Sequence, residues 1–482
     1  MTRAPSLSSI LPTGRLEERF EDKNPPYTEA EAVAEANRCL YCVDAPCVRA
    51  CPTAIDIPSF IRKIATGSVK GAARTILTAN LLGKSCGQAC PVEVLCAGEC
   101  VYNAWGREPI AIGRLQRHAV EAALSRDPGL LRARPSTGRR VALVGAGPAS
   151  IAAAGYLALE GHSAVIFERR SIPGGLNTLG IAPYKMKGRE ALRELEWVLS
   201  LGDIELRAGV AVVEQAAAPG EISARELLDG YDAVFLGLGL GGDARLGIPG
   251  EDGEGVVGAT AFIARLKADP RLDLAGVRRA VVVGGGNTAL DVAHELAALG
   301  IDVAIVYRRS EAEMSGYAHE LEGARIAGAR LIENRAPVEV VREAGRVVGL
   351  RVAATDAGPG GPAPGGPGGA APGGPGGPGD PAPAVEELLP ADLVAVAIGQ
   401  SRATRVALAF EGVALDERGR VLVDPATHRT GNPRVYSGGD CVNGGMEVVN
   451  AVAEAKIAAR AMHEALTRQA GGRAPGPPPR GS

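Results

Sequence analysis

Apolar residues keep two different rhythms along this chain. Up to about residue 135 they read as short helices: SFIRKIATG after Pro58 and VKGAARTILTANLLG after Ser68. Thr28, with Glu31 three residues on, is a capping box and predicts a helix that runs into Cys39. A polar stretch from Ala133 to Arg140, containing Pro135 and Gly138, closes this region. Beyond it the pattern changes to strand, glycine turn, helix and strand. RRVALVGAGPASIAAAGYLALEGHSAVIFERR spans Arg139 to Arg170, and RRAVVVGGGNTALDVAHELAALGIDVAIVYRR spans Arg278 to Arg309. Each has an apolar β run, a helical stretch closed by Gly161 or Gly300, and a second β run. That is the βαβ half of a dinucleotide-binding fold, present twice.

The predicted architecture is therefore α/β with an all-α N-terminal domain. It assigns 1–136 to the helical domain and 137–242 plus 399–470 to a first Rossmann-like domain. A second Rossmann-like domain, 243–398, is inserted in the first, and 471–482 is a disordered tail. Gly accounts for 65 of 482 residues, about twice the usual ~7%. Much of the excess lies in 357–384, where 21 of 28 residues are Gly or Pro. Such a segment buries too little apolar area to offset its ordering entropy. Set between strand-like Val347–Ala353 and Glu386–Val396, it reads as a disordered hairpin tip.

Charge narrows the function classes. A net charge of -3 excludes a nucleic-acid binder that works through bulk positive charge. No run of 18 or more apolar residues suggests a membrane span. Met1 to Phe20 carries Arg3, Arg15, Glu17, Glu18 and Arg19 and no apolar core, unlike a secretory signal. The cytoplasm is the expected compartment.

Eight of the nine cysteines fall between Cys39 and Cys100. They form two runs, Cys39-x2-Cys42-x4-Cys47-x3-Cys51-Pro52 and Cys86-x3-Cys90-Pro91-x4-Cys96-x3-Cys100. Two sets of four thiolates suit two [4Fe–4S] clusters, and Cys-Pro endings occur in two-cluster ferredoxins. Structural zinc is the alternative for Cys-x2-Cys, and would make the chain a redox-inert nucleotide-binding scaffold. The ninth, Cys441, has no partner thiol nearby and reads as a small buried hydrophobe. The six histidines are scattered and form no metal pattern.

The first glycine turn is Gly145-x-Gly147-x-x-Ser150, with Pro148 and Ala149 at the start of its helix. Its backbone amides and helix N-terminus suit a pyrophosphate. Glu168, 23 residues past Gly145, stands where a ribose diol is held. The second turn, Gly284-x-Gly286-Asn287-Thr288-Ala289, has Tyr307 at the matching position, followed by Arg308 and Arg309. A guanidinium there complements a 2′-phosphate, which favours NADPH over NADH.

RCLYCVDAPCVRACPTAIDIPSFIRKIATG, SCGQACPVEVLCAGECVYN and IAIGRLQRH resemble the flavin/iron–sulfur half of dihydropyrimidine dehydrogenase. In bacteria that half is a separate subunit, and glutamate synthase small subunits are more distant relatives. The likeness runs from about Glu31 to Met462, interrupted by the Gly/Pro insertion. It implies crossed ligation: Cys39, Cys42, Cys47 and Cys100 on one cluster; Cys51, Cys90, Cys96 and the amide of Gln116 on the other. Cys86 would then hold no metal. Gly174-Gly175-Leu176 and the C-terminal VYSGGDCVNGGMEVVNAVAEAKIAA match flavin-binding stretches of the same reductases. They imply FAD at the first site, with Gly439 and Asp440 near the ribityl–phosphate region and Val448 near the flavin ring. Tyr184-Lys185 in GIAPYKMK matches a further stretch near the flavin. Relatives with the Tyr-Arg-Arg sequence are split between NADH and NADPH, so both nucleotides stay open.

A hydride carries two electrons and an iron–sulfur cluster takes one, and a flavin handles both. The resemblance thus implies an electron-input subunit with no catalytic side chain of its own. It would form a hetero-oligomer with an FMN/iron–sulfur subunit that carries the pyrimidine site and reduces uracil or thymine. The Gly113-Arg114-Leu115-Gln116 stretch favours this branch over glutamate synthase.

Overall fold

The structure, a computed structural model, describes residues 6–127, 129–355, 386–402 and 404–471. The expected hairpin tip at 357–384 and the tail beyond Gly471 lie outside the described residues. The chain makes two compact units. Gly242–Leu266 with Arg271–Ser401 form the second, and the remaining segments form the first.

Six helices lead: α1 (Glu29–Ala36), α2 (Pro46–Arg49), α3 (Ile57–Ala65), α4 (Val69–Ala79), α5 (Gly83–Ala89) and α6 (Ile112–Arg126). The predicted capping box opens α1, with Glu31 N–H on the Thr28 hydroxyl at 3.3 Å and Thr28 N–H on the Glu31 carboxylate at 2.8 Å. The helix stops at Ala36, which leaves Cys39 in a loop. Asp56 caps α3 through Ser59 N–H, so Pro58 sits in the first turn, where its missing N–H costs nothing.

The first βαβ unit is β1 (Arg140–Val144), α7 (Pro148–Leu159) and β2 (Ser163–Glu168). Next come α8 (Gly175–Leu179), α9 (Gly188–Leu199), β3 (Ile204–Ala208), β4 (Ala211–Val213), β5 (Glu221–Ser223), α10 (Ala224–Gly230) and β6 (Ala233–Leu236). The second unit contains β7 (Val256–Gly258), most of α11 (Ala259–Ala268), β8 (Arg279–Val283), α12 (Asn287–Ala298) and β9 (Asp302–Val306). It continues with α13 (Ala318–Ala327), β10 (Arg330–Ile332), β11 (Arg335–Glu343), β12 (Arg346–Ala354), β13 (Glu386–Pro390) and β14 (Leu393–Val396). The chain then returns to the first unit through α14 (Thr404–Leu408), β15 (Val435–Ser437), α15 (Asp440–Asn443) and the long α16 (Val448–Gly471).

Each unit is built on a five-stranded parallel sheet, ordered β15-β6-β1-β2-β3 in the first and β10-β9-β8-β14-β7 in the second. The insertion of one Rossmann-like sheet within the other matches the sequence expectation. The run Glu386–Val396 is not one strand, however. It splits after Pro390: β13 pairs antiparallel with β12, while β14 lies next to β8 in the parallel sheet. Proline cannot continue a central ladder, and Asp392 turns the chain by accepting N–H bonds from Arg278 and Arg279, both at 2.9 Å.

A single apolar core joins Phe60, Ile76 and Leu115 of the helical segment to Ile151, Leu195 and Val452 around the first sheet. The polar Ala133–Arg140 stretch is correspondingly pinned rather than loose. Arg134 N–H donates to Leu159 O and Thr137 N–H to Gly161 O, each at 2.9 Å.

Candidate functional site

Cys39, Cys42, Cys47 and Cys100 line one small pocket, walled by apolar side chains that include Ile57, Ile61 and Tyr102. Local structure sets them there. The loop after α1 passes through Tyr41 at φ 53°, and Tyr102 ties back to it through a 2.6 Å bond from its hydroxyl to Arg38 O. Burial pushes the Cys47 thiol up to about 12, and Cys39, Cys100 and Cys42 add to the shift. Cys39 is raised first by burial and then by Cys42 and Cys100. Cys39 and Cys47, each raised by burial and by the neighbouring sulfurs, belong to a donor set that a bound cationic group would relieve.

A second group lies beside the first. Cys96 is raised by burial and then by Cys51 and Cys47. Cys90 is raised by a hydrogen bond with Cys86, by burial, and by Cys86, Cys96 and Glu447. Spatial grouping thus interleaves the two sequence runs: Cys100 joins the first run, and Cys51 faces Cys96. Cys86 is buried behind Cys90 and accepts a 3.1 Å bond from Asn80 Nδ2. Gln116, on α6, is buried, with Nε2 donating to Gly83 O at 2.6 Å; a metal would have to be taken by Oε1. Among the described residues no three His, Cys, Asp or Glu converge on a single-ion site.

In the same unit, β1 runs into Gly145, whose φ of +89° and 2.6 Å clearance between a built Cβ and Gly237 O admit only glycine. Gly147 caps α7, with open space where a Cβ would point. Pro148 and Ala149 form the first turn of α7, and Gly175 packs on Gly147, 2.8 Å from its Cα to a built Cβ. Leu176 is partly exposed beside it. The buried Glu168 carboxylate ends β2 and accepts N–H bonds from Ala146 and Arg170, both at 2.8 Å. Gly439 approaches Ala149 and donates its N–H to Glu454 at 2.5 Å; Asn443 holds the other Glu454 oxygen at 3.0 Å. Asp440 opens α15, with its carboxyl pushed up by burial, and Val448 opens α16. Tyr184 is buried in the turn before α9 and accepts Lys23 N–H through its carbonyl at 2.8 Å. A glycine turn at a helix N-terminus could hold a pyrophosphate, and a carboxylate at the end of the second strand could meet a ribose.

The second unit repeats the cradle. Gly284 follows β8 against Ala397 O, and Gly286 caps α12 ahead of Asn287, Thr288 and Ala289. Asn287 Oδ1 accepts Tyr317 N–H at 2.9 Å. Tyr307 is buried against Gly285, with its hydroxyl donating to Glu313 O at 2.8 Å. Arg308 and Arg309 are exposed, and the Arg309 guanidinium lies 5.5 Å from the Tyr307 ring. Arg309 lies close enough to Glu313 for its charge to help lower that carboxyl's pKa.

Residues 16–127 match the family described as dihydropyrimidine dehydrogenase domain II, 4Fe-4S cluster. Residues 139–455 match the family described as pyridine nucleotide-disulphide oxidoreductase. The glutamate synthase [NADPH] small chain of Escherichia coli is 32% identical over 91% of this chain and 92% of its own. The chain belongs to this family of iron–sulfur flavin oxidoreductases. The NAD-dependent dihydropyrimidine dehydrogenase subunit PreT of Escherichia coli is 30% identical, over 93% of this chain and 97% of its own. Thioredoxin reductase of T. acidophilum shares the fold at a TM-score of 0.51 and 21% identity, over 68% of this chain and 99% of its own.

As a member of that family the protein is an NAD(P)H-dependent flavin oxidoreductase with a 4Fe-4S domain. It carries no cysteine pair at either nucleotide cradle: Cys441 is alone and buried, with Sγ 3.4 Å from Ser437 Oγ and burial raising its pKa. The histidines are not all scattered. His162 Nε2 and His463 Nδ1 meet at 3.0 Å, because α16 packs back on α7 across some 300 residues of sequence. Sequence reading also missed Asn80, Glu447 and Glu454. The last two stand in the quoted C-terminal motif, where only helical periodicity could have marked Glu454 as facing the glycine turn.

Proposed function

We propose that this chain passes electrons from NADPH, through FAD and two [4Fe–4S] clusters, to an FMN/iron–sulfur partner subunit that reduces uracil or thymine. FAD would occupy the cradle of Gly145, Gly147, Pro148, Ala149, Glu168, Gly175, Leu176, Gly439, Asp440 and Val448. The nicotinamide nucleotide would occupy that of Gly284, Gly286, Asn287, Thr288, Ala289, Arg308 and Arg309. Cys39, Cys42, Cys47 and Cys100 would hold one cluster, and Cys51, Cys90, Cys96 and Gln116 the other. Bound flavin would convert two-electron into one-electron transfer.

The supporting observation is the order in which the thiols lie. Cys90 feels Glu447, the residue just before α16 in the flavin motif, while Cys96 neighbours both Cys51 and Cys47. That order supports a relay in which the Cys51/Cys90/Cys96 group would take electrons from the flavin side and hand them on to the four-thiol group. The same relay would serve a glutamate synthase complex, and identities of 32% and 30% do not divide the two. The test is co-purification of the native partner, followed by NADH- and NADPH-driven uracil reduction. Reduction of 2-oxoglutarate with glutamine instead would overturn the pyrimidine reading.

Arg308→Glu should raise the KM for NADPH roughly ten- to hundred-fold while leaving that for NADH near the wild-type value. A lost charge-assisted contact costs ~1.5–3 kcal/mol, and Arg308 stands exposed at the ribose edge. Steady-state kinetics with ferricyanide as acceptor decides it, and equal losses would remove the case for NADPH.

A further inference from the structure

Lys456 lies on α16, eight residues past Val448, or about 12 Å along the helix axis. Its side chain is half-buried, and Nζ donates to Thr53 O at 3.3 Å and Ala79 O at 3.1 Å. Both acceptors are neutral. Burial lowers the ammonium's pKa, and the charge that acts to hold it up is Cys51. A partly desolvated cation without a carboxylate is costly unless a negative centre lies beside it. Thr53 is two residues from Cys51, so this hydrogen bond ties the Cys51 loop to the helix leading from the flavin motif and holds the ammonium near that loop.

We infer that Lys456 is a positioning residue that clamps the Cys51–Thr53 loop to α16 and, as a fixed positive charge, raises the reduction potential of the cluster held by Cys51, Cys90 and Cys96. The inference rests on the second cluster of the proposed function. An added electron makes the centre more negative, and a nearby cation stabilises that state more than the oxidised one. The charge thereby favours electron flow from flavin to the inner cluster. The four-thiol group, which Lys456 does not touch, is affected less.

The test is an EPR-monitored redox titration of the full, cluster-loaded chain as wild type, Lys456→Met, Lys456→Gln and Lys456→Arg. Lys456→Met should keep the wild-type iron and flavin contents. Its equilibrium constant for one-electron reduction of the inner cluster should fall about tenfold or more, 59 mV for each factor of ten. Lys456→Arg keeps the charge and should titrate close to wild type. Full iron with an unchanged potential in Lys456→Met overturns the inference. So does loss of that cluster's iron in both Lys456→Met and Lys456→Gln, since the residue would then be a structural clamp alone. A wild-type protein that titrates as a single cluster would instead overturn the two-cluster reading, and this inference with it.

Discussion

Gly147→Val should purify as a folded protein without flavin. Gly147 has φ −82° and ψ 177°, extended backbone that valine adopts readily, and a built Cβ meets no atom within 4 Å. Protein packing therefore does not demand glycine there. The empty space lies before the N-terminus of α7, where an anion is favoured by the unpaired amides, and a branched side chain would fill it. FAD affinity should drop at least about 100-fold, which is ~2.7 kcal/mol. Far-UV circular dichroism should stay unchanged, while the flavin band disappears from the purified protein. The Tm should fall only by the lost ligand linkage, and should not respond to added FAD. Gly145→Ala is the contrasting variant: its Cβ would enter the Gly237 carbonyl at 2.6 Å from a positive-φ residue, so it should lose soluble protein altogether. Gly286 caps α12 with similar freedom, its built Cβ 3.6 Å from Ser315 Oγ. Gly286→Val should therefore retain FAD and lose NAD(P)H reduction. The opposite outcome in the two valine variants would exchange the nucleotides between the cradles.

What the sequence made legible was whatever depends on neighbours in the chain. The Thr28–Glu31 box, both βαβ units and the place of Glu168 at the end of β2 follow from spacing, because helix, turn and strand are set by local geometry. The break at Pro390 was also local, but an apolar run on both sides masked it, and only pairing with two different sheets separates β13 from β14. Contacts made by folding were not legible. His162 and His463 meet only because α16 returns to α7, and Glu454 reaches Gly439 only because α16 starts over the glycine turn. The cysteines lie between these cases. Their number and the Cys-Pro endings point to clusters, yet spacing alone pairs each run with itself. Interleaving needs the fold of α2 through α6, which carries Cys100 back to the loop after α1 and sets Cys51 against Cys96.

That interleaving makes Gln116 and Cys86 the decisive pair for ligation. Under the proposed ligation, with the neutral amide oxygen as fourth ligand of the inner cluster, Gln116→Ala should lose about half of the protein's iron or convert one cluster to a labile three-iron form. FAD should stay bound, since neither Gln116 nor its partner Gly83 is one of the residues proposed for the flavin cradle. Electron delivery to the partner should fall at least about 100-fold, whereas direct bleaching of the flavin by NAD(P)H should persist. Cys86→Ser should leave iron untouched. The serine hydroxyl still accepts from Asn80 Nδ2 and still faces Cys90, so the buried turn of α5 keeps its hydrogen bonds. Gln116→Cys should rebuild a four-iron centre at lower potential, because an added thiolate charge disfavours the reduced state. Iron and EPR quantification across the three variants is the deciding measurement. Iron lost in Cys86→Ser and kept in Gln116→Ala would show that each sequence run of four thiolates holds its own cluster. Cys51 would then ligate with Cys39, Cys42 and Cys47, and its nearness to Cys96 would mark only where the two clusters face each other.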